Sequence, residues 1–221
     1  MNANMPYDTE KDILPVVALA TQPNVLVISP SKNIKTIEQF IAAAKTTPGG
    51  ITYASPGVGS STHITMERFR ANANFEATHV PFRGAVEALT EVMTGRVDTY
   101  FAPLLLALPH IRNGTLGPLI VIASGRSPAL PDVRTIAEAG YPEANKDVWI
   151  GLFTTAGTPE PIIDTLRKES QKVIASDAYK EKLARLGAEP PTMSPDEFRK
   201  KVFDDLASNG EILRKMGMTP H

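Results

Sequence analysis

Short apolar runs alternate with stretches of helical periodicity from residue 24 to residue 154. The run NVLVIS at 24–29 is stopped by Pro30, and Ile37, Phe40, Ile41 and Ala44 then recur at helical spacing up to the Thr47-Pro48-Gly49-Gly50 break. The same alternation predicts strands at 51–54, 77–81, 97–102, 119–123 and 148–154. It predicts helices at about 62–71, 85–94 and 104–112, and a helical turn at 135–139. Strand and helix repeating in this way predict an α/β domain with a largely parallel sheet.

After residue 154 the character changes to helix. Thr158-Pro159 opens a long helix with Ile162, Ile163, Leu166, Val173 and Ile174 read on one face. Ser194-Pro195-Asp196-Glu197 supplies an N-cap serine, a proline at the first helical position and a glutamate at the third, and Phe198, Val202, Leu206 and Leu213 continue an apolar stripe. No solenoid-length repeat and no low-complexity segment interrupts the chain.

Composition narrows the function classes. With 221 residues, 42% hydrophobic and 21% charged, the chain is long enough to bury a substantial core. Its net charge is −1 with scattered Lys and Arg, which gives no electrostatic footprint for nucleic acid or an acidic membrane surface. The absence of cysteine excludes disulfides, a thiol nucleophile and Cys-ligated metal. No apolar run approaches the roughly 18 residues of a membrane span, and MNANMPYDTEKDI has neither the basic start nor the apolar stretch of a secretory signal.

The segment ITYASPGVGSSTHITME at 51–67 is the strongest candidate site. Gly57 and Gly59 permit a tight turn and close approach of a ligand to the backbone, and Ser60, Ser61 and Thr62 can cap the next helix or donate outward. A carboxylate or phosphate suits the free N–H groups and positive dipole end of such a helix start. An ordinary glycine turn with serine capping fits the spacing equally well. A nucleophile elbow is excluded in the form Gly-x-Ser-x-Gly, because His63 stands where the last glycine belongs. The third glycine of the dinucleotide fingerprint is replaced by Thr62, and no Gly-Lys-Ser/Thr follows. His79 and His110 lack metal-spaced partners. Asp204-Asp205 reads as a solvated helix face, and Trp149 and Tyr53 as packing residues or weak pocket candidates.

Further segments join this one in a fixed order: PNVLVISP at 23–30, HVPFRGAVEALTEVMTGRVD at 79–98, ALPHIRNGTL at 107–116, RSPALPDVRTIAEAGYP at 126–142, WIGLFTTAGTPEPIIDTLRKE at 149–169 and LGAEPPTMSPDEF at 186–198. With Met5-Pro6-Tyr7-Asp8 and Lys11-Asp12, they cover nearly the whole chain. Together they resemble the periplasmic receptors of tripartite tricarboxylate transporters, the Bug or TctC-like family.

The resemblance implies a type II periplasmic-binding-protein fold, two-lobed, closing on a small organic carboxylate and delivering it to membrane permease subunits. It implies no catalysis and no cofactor or metal. It divides the chain into a remnant of the first lobe at 1–23, a second lobe at 24–150 and C-terminal helices at 151–221 packing on the first. The ligand residues it implies are Gly57, Gly59, Ser60, Ser61, Thr62 and His63, then Phe82, Arg83 and Gly84, and the strand end Ala102 and Pro103. Arg83 is either a carboxylate clamp or a solvent-facing cation. The family's signal peptide, opening strand and first glycine-rich loop have no counterpart here, so the expectation is a truncated chain or a homodimer whose copies complement each other. Two other readings stand beside it: a hydrolase using Ser60 or Ser61 with His63, and a sensory partner that presents its ligand state at the membrane.

Overall fold

The computed structural model describes residues 5–215 and 217; positions 1–4 of the segment 1–23, and 216 and 218–221 of the segment 151–221, lie outside the described residues. In chain order, α1 (Thr9–Asp12) leads into β1 (Ile13–Gln22) and β2 (Asn24–Ile28), then α2 (Ile37–Thr46), β3 (Ile51–Ser55) and α3 (Ser61–Ala73). Next come β4 (Ala77–Pro81), α4 (Ala85–Met93), β5 (Thr99–Pro103), α5 (Leu104–Arg112) and β6 (Gly117–Ile122). β7 (Val148–Thr155) precedes α6 (Glu160–Ala175), α7 (Asp177–Arg185) and α8 (Pro195–Lys215). These elements form two compact units, Gln22–Val148 and Met1–Thr21 with Trp149–His221.

In the unit Gln22–Val148 a five-stranded sheet has the order β4-β3-β5-β2-β6. β3 pairs in parallel with β4 and β5, whereas β2 runs antiparallel to both β5 and β6. A continuous apolar run carries no direction, so the antiparallel course of β2 is invisible in the pattern that predicts the strand. Strand alternation sends Leu26, Ile28, Tyr53 and Phe101 to one face, where they pack against Phe40 of α2 and Met66 and Phe69 of α3. Val25, Val27, Ala54 and Tyr100 pack on the other against Leu89 and Val92 of α4 and Leu104 and Leu108 of α5. Each large apolar side chain buried in this way is worth roughly 1.5–3 kcal/mol of transfer free energy. Phe69 meets Phe75, Phe101 and Tyr141 edge-on at 5.4 to 5.8 Å.

In the other unit, β1 and β7 pair as a two-stranded sheet. β1 lies ahead of the region where strand-helix alternation is legible. Its burial pattern is continuous rather than alternating, and Pro15 falls inside it. Val16 and Val17 pack on Ile163 of α6, and Ala18 packs on Phe198 and Val202 of α8. Two helix faces differ from the periodicity reading. Ile163 is buried while Ile162 and Val173 are about half exposed, because each sits one residue, or 100°, from the packed row of Ile163, Leu166 and Ile174. Likewise Leu206 drifts out of the stripe that buries Phe198 and Val202.

The predicted capping box at Ser194 forms: its Oγ accepts from Glu197 N at 3.3 Å, and its own N–H donates to the Glu197 carboxylate at 2.8 Å. The acidic pair on this helix divides. Asp204 is paired with Lys200 on the surface, but Asp205 accepts from Trp149 Nε1 at 2.8 Å and from Lys201 Nζ at 2.7 Å. Asp205 is therefore a structural anchor for Trp149, whose ring meets Phe198 edge-on at 5.1 Å.

Candidate functional site

β3 ends at Ser55 and α3 begins at Ser61, so the turn is made by residues 56–60. Gly57 and Gly59 have φ of 134° and 78°. A Cβ at Gly59 would meet nothing within 4 Å, and one at Gly57 only Phe82 O at 3.9 Å. Backbone conformation, not crowding, therefore selects glycine at both positions, and the space beside Gly59 is open. Ser60 N-caps the helix, its Oγ accepting from His63 N at 3.4 Å, while Ile64 N donates to Ser60 O. Ser61 and Thr62 fill the first two helical positions, where no carbonyl lies one turn back, so their N–H groups carry the positive end of a 13-residue helix.

Parallel pairing brings the C-terminal ends of β3, β4 and β5 to one edge of the sheet. There Phe82 N donates to Ser55 O at 2.8 Å, placing the 82–84 loop beside the glycine turn. Phe82 is half-buried and Gly84 N-caps α4. Arg83 is exposed and uses its backbone N–H on Glu87 Oε2 at 3.1 Å. Ala102 is fully buried and offers no side chain to a ligand, and Pro103 closes β5 and caps α5. Ser61 is exposed, Ser60 and both turn glycines are half-buried, and Thr62 is buried.

His63 is turned into the protein, 1% exposed. Its Nδ1 accepts from Gly59 N at 3.0 Å, which commits the ring to the turn and not to either serine hydroxyl. The Ser60 or Ser61 dyad required by the hydrolase reading is accordingly not assembled. His63 stacks on His79 of β4 with ring centroids 3.8 Å apart, and both rings stack on Tyr53. His79 Nε2 lies 2.6 Å from Ser55 Oγ, which also accepts from Gly57 N at 3.1 Å and donates to Gly57 O at 2.9 Å. Tyr53 OH donates to Glu67 Oε1 at 2.5 Å, and Arg70 grips the same carboxylate through Nε at 2.7 Å and an NH2 group at 2.6 Å.

The charges follow from this packing. Burial lowers the His63 pKa, with Glu67 opposing and Arg70 adding to the shift. Burial takes His79 down to about 4, with His63 adding to the shift. Burial alone would raise Glu67, but the hydrogen bonds from Arg70 and Tyr53 outweigh it and hold the carboxyl below its ordinary range. Both imidazoles are therefore neutral at pH 7, and the turn presents dipoles and hydroxyls rather than a formal cation.

Two polar residues near the same edge carry no sequence signal. Asn24, paired with Pro103 in the β2–β5 register, is 2% exposed with Nδ2 unpartnered. Tyr100 is fully buried with an unpartnered hydroxyl, pushed up to about 12 by burial with the Thr62 side chain acting in the opposite direction. Asn24 sits inside an apolar run, and Tyr100 reads as a core aromatic; only the sheet register sets them at this edge. Ser55 and His79 are missed for the same reason. No cluster of three metal-ligating side chains occurs among the described residues.

The fold is that of periplasmic solute-binding proteins. R. palustris Rpa4515, solved with adipate, superposes with a TM-score of 0.88 at 29% identity, covering 100% of this chain and 74% of that one. MatC from Rhodopseudomonas palustris, solved with bound malate, gives 0.80 at 27% identity over 95% of this chain and 72% of that one. The periplasmic binding protein BugD shares the fold with a TM-score of 0.85. Residues 1–218 match the tripartite tricarboxylate transporter family receptor, and the chain belongs to that family. Among curated relatives it is 36% identical to the UPF0065 protein in the tcbD-tcbE intergenic region of Pseudomonas sp. (strain P51), over 87% of this chain and 57% of that protein. It is 30% identical to Protein BugT of Bordetella pertussis, over 97% of this chain and 66% of that protein. The chain thus spans roughly 57–66% of the length of these two relatives.

Proposed function

We propose that this chain captures a small organic dicarboxylate, with one carboxylate seated on the turn 56–62. The N–H groups of Ser61 and Thr62 and the Ser61 hydroxyl donate to it, and the open face of Gly59 lets the anion approach the backbone. The observation that carries this reading is the open space beside Gly59, at a helix start preceded by left-handed glycines, in a family member whose structural relatives were solved with adipate and malate. Phe82 and the 82–84 backbone border the anion, Ala102 and Pro103 form the strand end beneath it, and His63 supports the turn from within. Arg83 is a solvent-facing cation that draws anions toward the site rather than clamping them. The protein acts in the periplasm and hands its ligand to the permease subunits of a tripartite tricarboxylate-type transporter.

Isothermal titration with adipate, malate and a matched monocarboxylate tests this. The expected result is saturable binding of a dicarboxylate that weakens about tenfold or more in Gly59→Val, whose side chain both strains the turn and fills the open space. Absence of binding to every acid, or an affinity unchanged in Gly59→Val, would overturn it.

A further inference from the structure

The turn is held from inside by two neutral imidazoles. His63 Nδ1 is a hydrogen-bond acceptor for Gly59 N–H, so the ring must carry its proton on Nε2. Adding a second proton places an N–H against an N–H, which removes the acceptor and repels the turn. No other acceptor for Gly59 N occurs among the described residues. His79 fixes the plane of this ring by stacking at 3.8 Å and 12°, and is itself tied through Ser55 Oγ to both backbone groups of Gly57. One stack of rings therefore holds both glycines of the turn.

We infer that His63 is a positioning residue whose neutral form latches Gly59, and that its protonation unlatches turn 56–60 and lowers anion affinity in acid. This rests on the reading of the turn as the anion site. The groups facing the two imidazoles are Tyr53 and Ser55 from β3 and Glu67 and Arg70 from α3. Tyr53 is neutral, and Glu67, the carboxylate facing the rings, is already held by bidentate Arg70, so its attraction for an imidazolium is smaller than the burial that opposes the charge. The 3.8 Å spacing lets at most one ring charge, and the desolvation that already disfavours each cation makes even the first protonation disruptive to the packing around it. The consequence is that anion uptake and proton uptake oppose each other at this site: the protein holds its ligand near neutral pH and lets it go in acid.

The test combines nitrogen-15 NMR of the ligand-free protein with adipate titrations between about pH 7.5 and pH 4.5. In the free protein the Gly59 amide should shift and lose exchange protection in step with the His63 ring resonances, with the folded dispersion of α5, packed on the opposite face of the sheet, retained. Protonation of adipate itself weakens binding to every variant alike, so the wild type is read against His63→Asn, whose Oδ1 replaces the Nδ1 acceptor without titrating. Between the two ends of the range the affinity of the wild type should fall about tenfold more than that of His63→Asn. In His79→Gln, which removes the stacked ring, the His63 midpoint should move up. A Gly59 amide indifferent to His63 titration, or a pH ratio in His63→Asn equal to wild type, overturns the inference. If adipate binds at no pH, the carboxylate reading fails while the amide and ring titrations still decide whether His63 latches the turn.

Discussion

The imidazoles of His63 and His79 lie face to face, 3.8 Å between centroids and 12° from parallel, although 15 residues and a change from helix to strand separate them. The stack exists because Tyr53 pairs with His79 across the β3–β4 ladder while the first turn of α3 lays His63 over the same strand. Its electrostatics fix a pH dependence of stability. The folded pKa of His79 is about 4, below its ordinary value of 6.5, and burial lowers His63 as well. Below pH 6.5 the unfolded chain binds protons that the native state refuses, so this contribution is complete above that pH and is lost as pH falls toward 4. Urea denaturation at pH 7.5 and pH 4.5 should show a loss of about 2 kcal/mol from His79 alone, and a smaller loss in His79→Gln. Equal losses in the two proteins would remove His79 as its source.

Breaking the carboxylate at the other end of this chain of contacts should be more damaging. Glu67 is 6% exposed and accepts from Tyr53 and Arg70 at once. Glu67→Ala strands a partly buried guanidinium and a buried hydroxyl, and should cost about 3 kcal/mol at neutral pH. Tyr53→Phe leaves the Arg70 pair intact and should cost about 1 kcal/mol. Equilibrium unfolding of the two variants reads the difference directly; similar costs would mean that Arg70 contributes little.

Gly151 tests the packing of the other unit. A Cβ there would fall 2.2 Å from Phe198 Cζ and 2.8 Å from Cε1, so the ring must move out of its place against Trp149. Gly151→Ala should destabilise by about 1–3 kcal/mol. The lone tryptophan, Trp149, reports it as an earlier fluorescence transition in urea. Combining it with Phe198→Leu should recover part of the loss, since the shorter side chain vacates the colliding atoms. A strictly additive double variant would place the strain elsewhere.

The turn glycines separate strain from crowding. Gly59 has φ of 78° with nothing within 4 Å of a built Cβ, whereas Gly50 has φ of 76° and its Cβ would meet Glu76 O at 2.6 Å. Gly59→Asn, a residue that tolerates the left-handed region, should cost well under 1 kcal/mol, and Gly50→Asn at least 1 kcal/mol more because a backbone oxygen must give way. Thermal unfolding of the pair distinguishes them, and equal melting temperatures would deny the close approach at Gly50.

The order of elements from residue 24 to 155 was fixed by the chain's own pattern, because apolar runs with period two or 3.6 and glycine or proline stops are local properties. The capping box at Ser194 and the glycine turn at 57–59 were equally legible, since a cap or a left-handed φ needs only its own neighbours. Strand direction, the burial of β1 and the choice between Ile162 and Ile163 as the packed residue were decided by tertiary contacts. So was the inner face of the site. His79, Ser55, Tyr53 and Glu67 meet His63 only after β3 and β4 pair, and Asn24 reaches the edge near Pro103 only because β2 runs against β5. Hydrogen bonds between residues distant in sequence depend on register, and register is a property of the assembled sheet that no single segment carries.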